Sequence, residues 1–168
     1  TSALEAAKGQ RLSLRRAIAG LEEALSATDD PDGLGGQDGL PARLGPVLER
    51  LWEVFAVHVE VTEAPGGLYQ EILENAPRLA NRVTRFRREH AEITDGIGHA
   101  IAESSTAADP QALRDHTVRL FADLVRHRKR GLDLVYEAYH VDIGGESEPA
   151  AGRSRSQPAA SSRPASCS

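Results

Sequence analysis

"LFADLVRHRKRGLDLVYEAYHVDIGGE", residues 120–146, is the stretch that decides the fold. An α-helix advances about 100° per residue, so residues three, four or seven apart lie on one face. By that spacing Leu120, Leu124 and Leu134 fall within roughly 60° of His127. The stretch therefore predicts an amphipathic helix that carries a histidine at the centre of its apolar face.

The rest of the chain repeats this helical periodicity, interrupted by residues that break helices. Glycine and aspartate fill "TDDPDGLGGQDG" (28–39), which predicts a loop over 27–39, and "APGG" (64–67) predicts a second break. Asp109 and Pro110 form a typical helix start. The predicted long helices are 3–26, 40–63, 77–103 and 110–139, with a short extra helix over 68–76. The predicted fold is an all-α antiparallel four-helix bundle.

Composition limits the class of protein. The 168 residues allow one domain, predicted as residues 1–146, and the polar segment 147–168 predicts a disordered tail. The single cysteine, Cys167, excludes an internal disulfide and favours a cytoplasmic location. No apolar run approaches the ~20 residues of a membrane span. Basic residues cluster at 82–88 and 126–130, but carboxylates lie beside them and the net charge is −5, so no nucleic-acid partner is predicted.

Two other helices carry a histidine on the apolar face. Residues 47, 51, 54 and 62 lie within roughly 40° of His58, and residues 79, 83, 86 and 97 within roughly 40° of His90. His90 and His127 both lie about 25–30 Å from the connection between their helices, and therefore at one level. His99 lies on the opposite face of its helix from His90, and His116 lies about 16 Å along the helix axis from His127. A divalent cation would satisfy several buried imidazoles at once. The alternative is a separate backbone, serine or water partner for each ring.

These features resemble a known family. Inward histidines on successive helices, together with "RFRREHAEI" (85–93) and "HRKRGLDLVYEAYHVDIGGE" (127–146), are similar to the hemerythrin-like (HHE cation-binding) proteins of bacteria. The resemblance covers roughly residues 10–146 and is most specific at "LVYEAYHVDIGG" (134–145). It implies a non-haem di-iron site that binds dioxygen or senses oxygen, nitric oxide or iron.

The family's ligand set is incomplete in this chain. The resemblance makes His58, His90 and His127 the nitrogen ligands, but Thr62 stands where the glutamate that follows the first of them belongs. Glu63 lies one position further, roughly 140° from His58, and reaches the site only through a helix bulge.

The last helix also departs from the family pattern. Gly131 and Leu132 replace its expected carboxylate, and Asp123 is a candidate substitute. The alternative for Asp123 is an ion pair with Arg119 or Arg126. Arg11 occupies an inward position on the first helix, which offers no histidine.

The predicted function is a metal-binding or sensing module rather than an enzyme. Without bridging carboxylates, three imidazoles suit a single Fe²⁺, Zn²⁺ or copper ion better than a di-iron pair. The cofactor that the resemblance implies is non-haem iron, mono- or dinuclear, with zinc as the alternative metal and dioxygen or nitric oxide as the gas. The runner-up is a metal-free helical bundle with a structural or interaction role.

Overall fold

The structure, a computed structural model, describes residues 2–27, 39–106 and 109–140. These ranges contain helices and connections but no strand, which confirms the all-α prediction for them. The elements are α1 (Ala3–Ser26), α2 (Leu40–Glu63), α3 (Leu68–Asn75), a 3₁₀ turn (Pro77–Leu79), α4 (Ala80–Ser105) and α5 (Pro110–His140). The predicted tail, 147–168, and residues 28–38 of the predicted loop lie outside the described residues, as does 141–146 at the end of the predicted domain.

Local chemistry accounts for the helix boundaries. The Asp109 carboxylate accepts a hydrogen bond from the Gln111 amide at 3.0 Å, which confirms the predicted cap of α5. Between α2 and α3, Gly66 adopts a φ of 74°, a conformation that other residues rarely take. A Cβ on Gly67 would lie 2.8 Å from the Ala64 carbonyl oxygen, so only glycine fits the turn.

The four long helices pack in a cycle. Helix α1 contacts α2 and α5, while α4 contacts α2 and α5. The short helix α3 contacts α1, α2 and α5 at one end of the molecule. None of the helices in the described ranges combines the length and apolar character that a bilayer crossing requires.

Two apolar clusters fill the interior. The larger cluster includes Leu21, Leu44, Leu48, Leu51, Ile97 and Leu124, all completely buried. The smaller one includes Leu68, Tyr69, Ile72, Val83, Phe86 and Leu134. Burial of each large side chain stabilises the fold by about 1.5–3 kcal/mol. Buried histidines on α2, α4 and α5 all contact Phe55 of the larger cluster, and the histidine on α5 also contacts Phe86 of the smaller one.

Candidate metal centre

Three helices bring three imidazole rings together in the interior. His58 on α2, His90 on α4 and His127 on α5 are 8 %, 1 % and 3 % exposed. The His127 Nε2 atom lies 3.2 Å from the His90 Nε2 atom and 3.4 Å from the His58 Nε2 atom. One nitrogen from each ring lies within 4.8 Å of the other two, so the group can hold one metal ion. We call these residues the buried histidine group.

Two of the rings are oriented by carboxylates on their other nitrogen. The His90 Nδ1 atom lies 2.6 Å from a Glu63 oxygen, and the His127 Nδ1 atom lies 3.1 Å from a Glu89 oxygen. An ionised carboxylate only accepts hydrogen bonds, so each Nδ1–H donates and each neutral ring keeps its proton there. Each Nε2 atom is then unprotonated and carries a lone pair, and the two Nε2 atoms face each other at 3.2 Å.

Burial keeps the rings neutral. Desolvation lowers the pKa of His58 to about 3, with smaller effects from His127 and Arg11. Desolvation lowers the pKa of His90 to about 2, helped by the other two imidazoles. It also lowers the pKa of His127, although the hydrogen bond from that ring to Glu89 opposes the shift. At neutral pH all three rings are therefore available as ligands without losing a proton first.

Two of the three nitrogen spacings fit one tetrahedral ion, and all three ligand atoms lie within 4.8 Å of one another. Metal–nitrogen bonds of about 2.0–2.1 Å in a tetrahedral site place ligand nitrogens about 3.3 Å apart. The two measured Nε2–Nε2 distances, 3.2 and 3.4 Å, lie on either side of that value. The donor set is neutral, since the nearby carboxylates are engaged on the outer nitrogens. It therefore suits one divalent transition-metal ion better than a carboxylate-bridged pair.

A small cavity borders the group. Its volume is about 40 Å³, and its lining includes His58, His127, Tyr69 and Arg11. One water needs roughly 10–15 Å³ of such space, so the cavity admits water or a diatomic molecule and excludes an organic substrate. Partial burial lowers the pKa of Arg11, which occupies the inward position expected on α1.

The structure separates the two carboxylates predicted as additional ligands. Helix α2 continues without a bulge to Glu63, so this side chain points away from the His58 nitrogen and binds the His90 ring instead. Asp123 is 50 % exposed and pairs with Arg126, which is the alternative that the sequence left open. Thr62, in the place of the family's glutamate, donates its hydroxyl to the His58 carbonyl oxygen at 2.8 Å.

Sequence reasoning missed two residues that contact the group. Glu89, which orients His127, precedes His90 in the chain and therefore points about 100° from it, toward α5. The Tyr69 hydroxyl on α3 lies 3.3 Å from the His90 Nε2 atom. A glutamate beside an inward histidine was the available signal for Glu89, whereas nothing in the local pattern indicated Tyr69.

Comparison of the chain with protein-family models, with curated proteins and with solved structures found no match. The geometry of the site must therefore carry the assignment of function.

Proposed function

We propose that this chain is a hemerythrin-like metal-binding protein in which His58, His90 and His127 hold a single iron ion. One observation carries the proposal: the Nε2 atoms of His90 and His127 lie 3.2 Å apart while both Nδ1 atoms are engaged by carboxylates. Two unprotonated nitrogens repel each other at that distance unless a cation or a proton lies between them. Burial disfavours a proton there, whereas a bound cation would remove the repulsion.

The surroundings of the rings support a transition metal. Glu63 and Glu89 hold the outer nitrogens, an arrangement that fixes ring orientation and makes histidine a better donor. With three protein ligands, the ion would supply an open coordination position for dioxygen or nitric oxide. The cavity of about 40 Å³ beside His58 and His127 has room for such a gas. These features favour gas binding or sensing over substrate turnover.

The fold proposal is an antiparallel four-helix bundle of the hemerythrin type. Its support is the cyclic packing of α1, α2, α4 and α5, together with the short connection from α4 to α5. In such a bundle inward residues at one level on different helices converge. The three ligands come from α2, α4 and α5, and α1 contributes Arg11 to the adjoining cavity.

The test is anaerobic loading of the purified metal-free protein with Fe²⁺, followed by dioxygen or nitric oxide. We expect about one iron per chain by elemental analysis and a visible or near-ultraviolet band that changes when the gas is admitted. His90→Leu should abolish both. The matched control, Ile97→Val on the same helix, removes a buried methyl group and should retain both. A protein that folds normally but takes up no iron would contradict the proposal.

A metal-free bundle is the second candidate, and a specific observation favours it. The Tyr69 hydroxyl can donate to His90 Nε2 at 3.3 Å, and His58 Nε2–H can donate to His127 Nε2 at 3.4 Å. Each facing nitrogen then has a partner without a cation, although both contacts are long for hydrogen bonds. Under this alternative His90→Leu should leave stability unchanged or increase it, because an apolar side chain would replace a polar one in the core.

A further inference from the structure

A second group of ligand-type side chains joins α4 to α5 nearer to the connection between these helices. His99 and Glu103 lie four residues apart on α4, and His116 lies on α5. The His99 Nε2 atom is 3.2 Å from one Glu103 oxygen, and the His116 Nδ1 atom is 2.8 Å from the other. One ligand atom from each residue lies within 4.8 Å of the others. We call these residues the surface histidine group.

This group is separate from the buried one. His99 follows His90 by nine residues and His116 precedes His127 by eleven, which correspond to about 13 and 16 Å along the respective helices. The His99 side chain is 66 % exposed, whereas those of Glu103 and His116 are 22 % and 20 % exposed. A metal ion could therefore reach the group directly from solvent, without opening the core.

The chemistry of the donors is that of a zinc site. Two imidazole nitrogens and one carboxylate form a common protein ligand set for Zn²⁺, with water at the fourth position. The carboxylate also offsets part of the ion's charge, which the buried histidine group cannot do. Residues four apart on one helix face, such as His99 and Glu103, can bind one ion together. The exposed His99 side chain can change rotamer and thereby turn an unprotonated ring nitrogen toward the ion.

The space around the group leaves room for the ion and its water. A groove of about 420 Å³ is lined by His99, Glu103, Asp115, His116 and Arg119. The Asp115 carboxylate accepts a hydrogen bond from Gln111 at 2.7 Å, so this oxygen is already engaged. All three candidate ligands therefore border the same open space.

We propose that His99, Glu103 and His116 form a second, solvent-facing metal site for Zn²⁺. Zinc bound there links α4 to α5 close to the connection over residues 106–109 and holds this pair of helices together. The site does not depend on iron or gas binding at the buried histidine group, because it uses none of the same residues.

The test is a zinc titration of the metal-free full chain by calorimetry with a competing chelator, with elemental analysis of the product. We expect Glu103→Gln, which keeps the shape of the side chain, to lose one zinc equivalent or to bind it at least ~100-fold more weakly. His99→Asn, a change at an exposed position, should weaken the same equivalent. The matched control is Glu53→Gln, which removes an exposed carboxylate on α2 and should bind zinc as the unaltered chain does.

The His90→Leu variant distinguishes zinc bound at the surface histidine group from zinc bound at the buried one. It should still bind the zinc equivalent that Glu103→Gln loses. Far-ultraviolet circular dichroism checks that each variant is folded. Equal zinc stoichiometry and affinity in the unaltered chain, in Glu103→Gln and in His99→Asn would overturn the proposal, whatever the buried histidine group binds.

Discussion

The buried and surface histidine groups use the same side chain in opposite environments. In the buried group three neutral rings face one another within the core, and their carboxylate partners lie on the outer nitrogens of His90 and His127. In the surface group the carboxylate of Glu103 lies between His99 and His116. The hydrogen bond from His116 lowers the pKa of Glu103, whereas burial raises the pKa of Glu63.

The two candidate metal sites differ in how much of the fold each one requires. The surface histidine group draws two of its three members from one helix turn, so it needs only α4 and its neighbour. The buried group draws one residue from each of three helices and exists only when the core is formed. Metal binding to the buried group must therefore be coupled to global stability, whereas binding to the surface group is coupled to one helix pair.

The largest expected effect is the loss of metal-linked stability at the buried group. At free Fe²⁺ concentrations 100–1,000 times the Kd, binding should raise the free energy of unfolding by about 3–4 kcal/mol. For a domain of this size the melting temperature rises by roughly 10 °C. His127→Leu should abolish the rise, and Ile97→Val should keep it. Anaerobic calorimetry with and without a chelator measures it, and an undiminished rise in His127→Leu would show that the ion binds elsewhere.

The next effect separates the two carboxylates that orient the rings. Glu63→Gln and Glu89→Gln should each weaken iron binding by about 10–100-fold, because a neutral amide makes the ring a poorer donor. Glu63 lies closer to its ring, at 2.6 Å against 3.1 Å, and Glu89 also pairs with Arg130. The Glu63→Gln effect should therefore be the larger. Chelator competition measures the iron affinity of both variants, with Glu53→Gln as control. Unchanged affinities would show that the two carboxylates do not support metal binding.

Acidification should destabilise the metal-free protein. The pKa of His58 is about 3 and that of His90 about 2 in the folded chain, below the usual 6.5. Between the lowered pKa values of the folded chain and the usual value of 6.5, the unfolded chain binds more protons than the folded chain. The contribution of these rings to the free energy of unfolding is therefore full above about pH 6.5 and falls as the pH decreases. Each ring contributes roughly 1 kcal/mol per pH unit. Urea unfolding from pH 7 to 5 measures the slope, which His90→Leu should reduce and Ile97→Val should not.

The sequence predicted the helices and the inward histidines because both depend on a single helix. Apolar spacing alone indicates which face of α5 is buried, and the rise per residue indicates that His90 and His127 lie at one level. The structure agrees: the three predicted rings meet, and the buried side chains of each helix lie on the expected face. The start of α4 differs because Pro77–Leu79 forms a 3₁₀ turn before the helix begins at Ala80.

The residues that contact the imidazole rings could not be predicted from helical periodicity, because each of these contacts joins two different helices. Glu89 reaches His127 only for one rotation of α4 relative to α5, and periodicity within a helix does not fix that rotation. The spacing within α4 predicts that His99 faces away from His90, but the contact between His99 and His116 depends on the same rotation of α4 relative to α5. The pattern within α2 indicates Glu63 only as a ligand beside His58, whereas its partner in the structure is His90 on α4.

The smallest expected effect tests whether a metal ion or the Tyr69 hydroxyl is the partner of the His90 Nε2 atom. Tyr69 is buried, and its hydroxyl lies 3.3 Å from His90 Nε2, the nitrogen that iron would use. In the metal-free chain Tyr69→Phe removes a donor from that nitrogen and should lower the free energy of unfolding by about 1 kcal/mol. With iron bound, Nε2 has another partner, so the same substitution should have a clearly smaller effect. Urea unfolding of both proteins with and without iron gives the four values that are needed. Equal losses in the two states would mean that the Tyr69 hydroxyl acts independently of the ion, and the proposed ligand role of His90 would then be wrong.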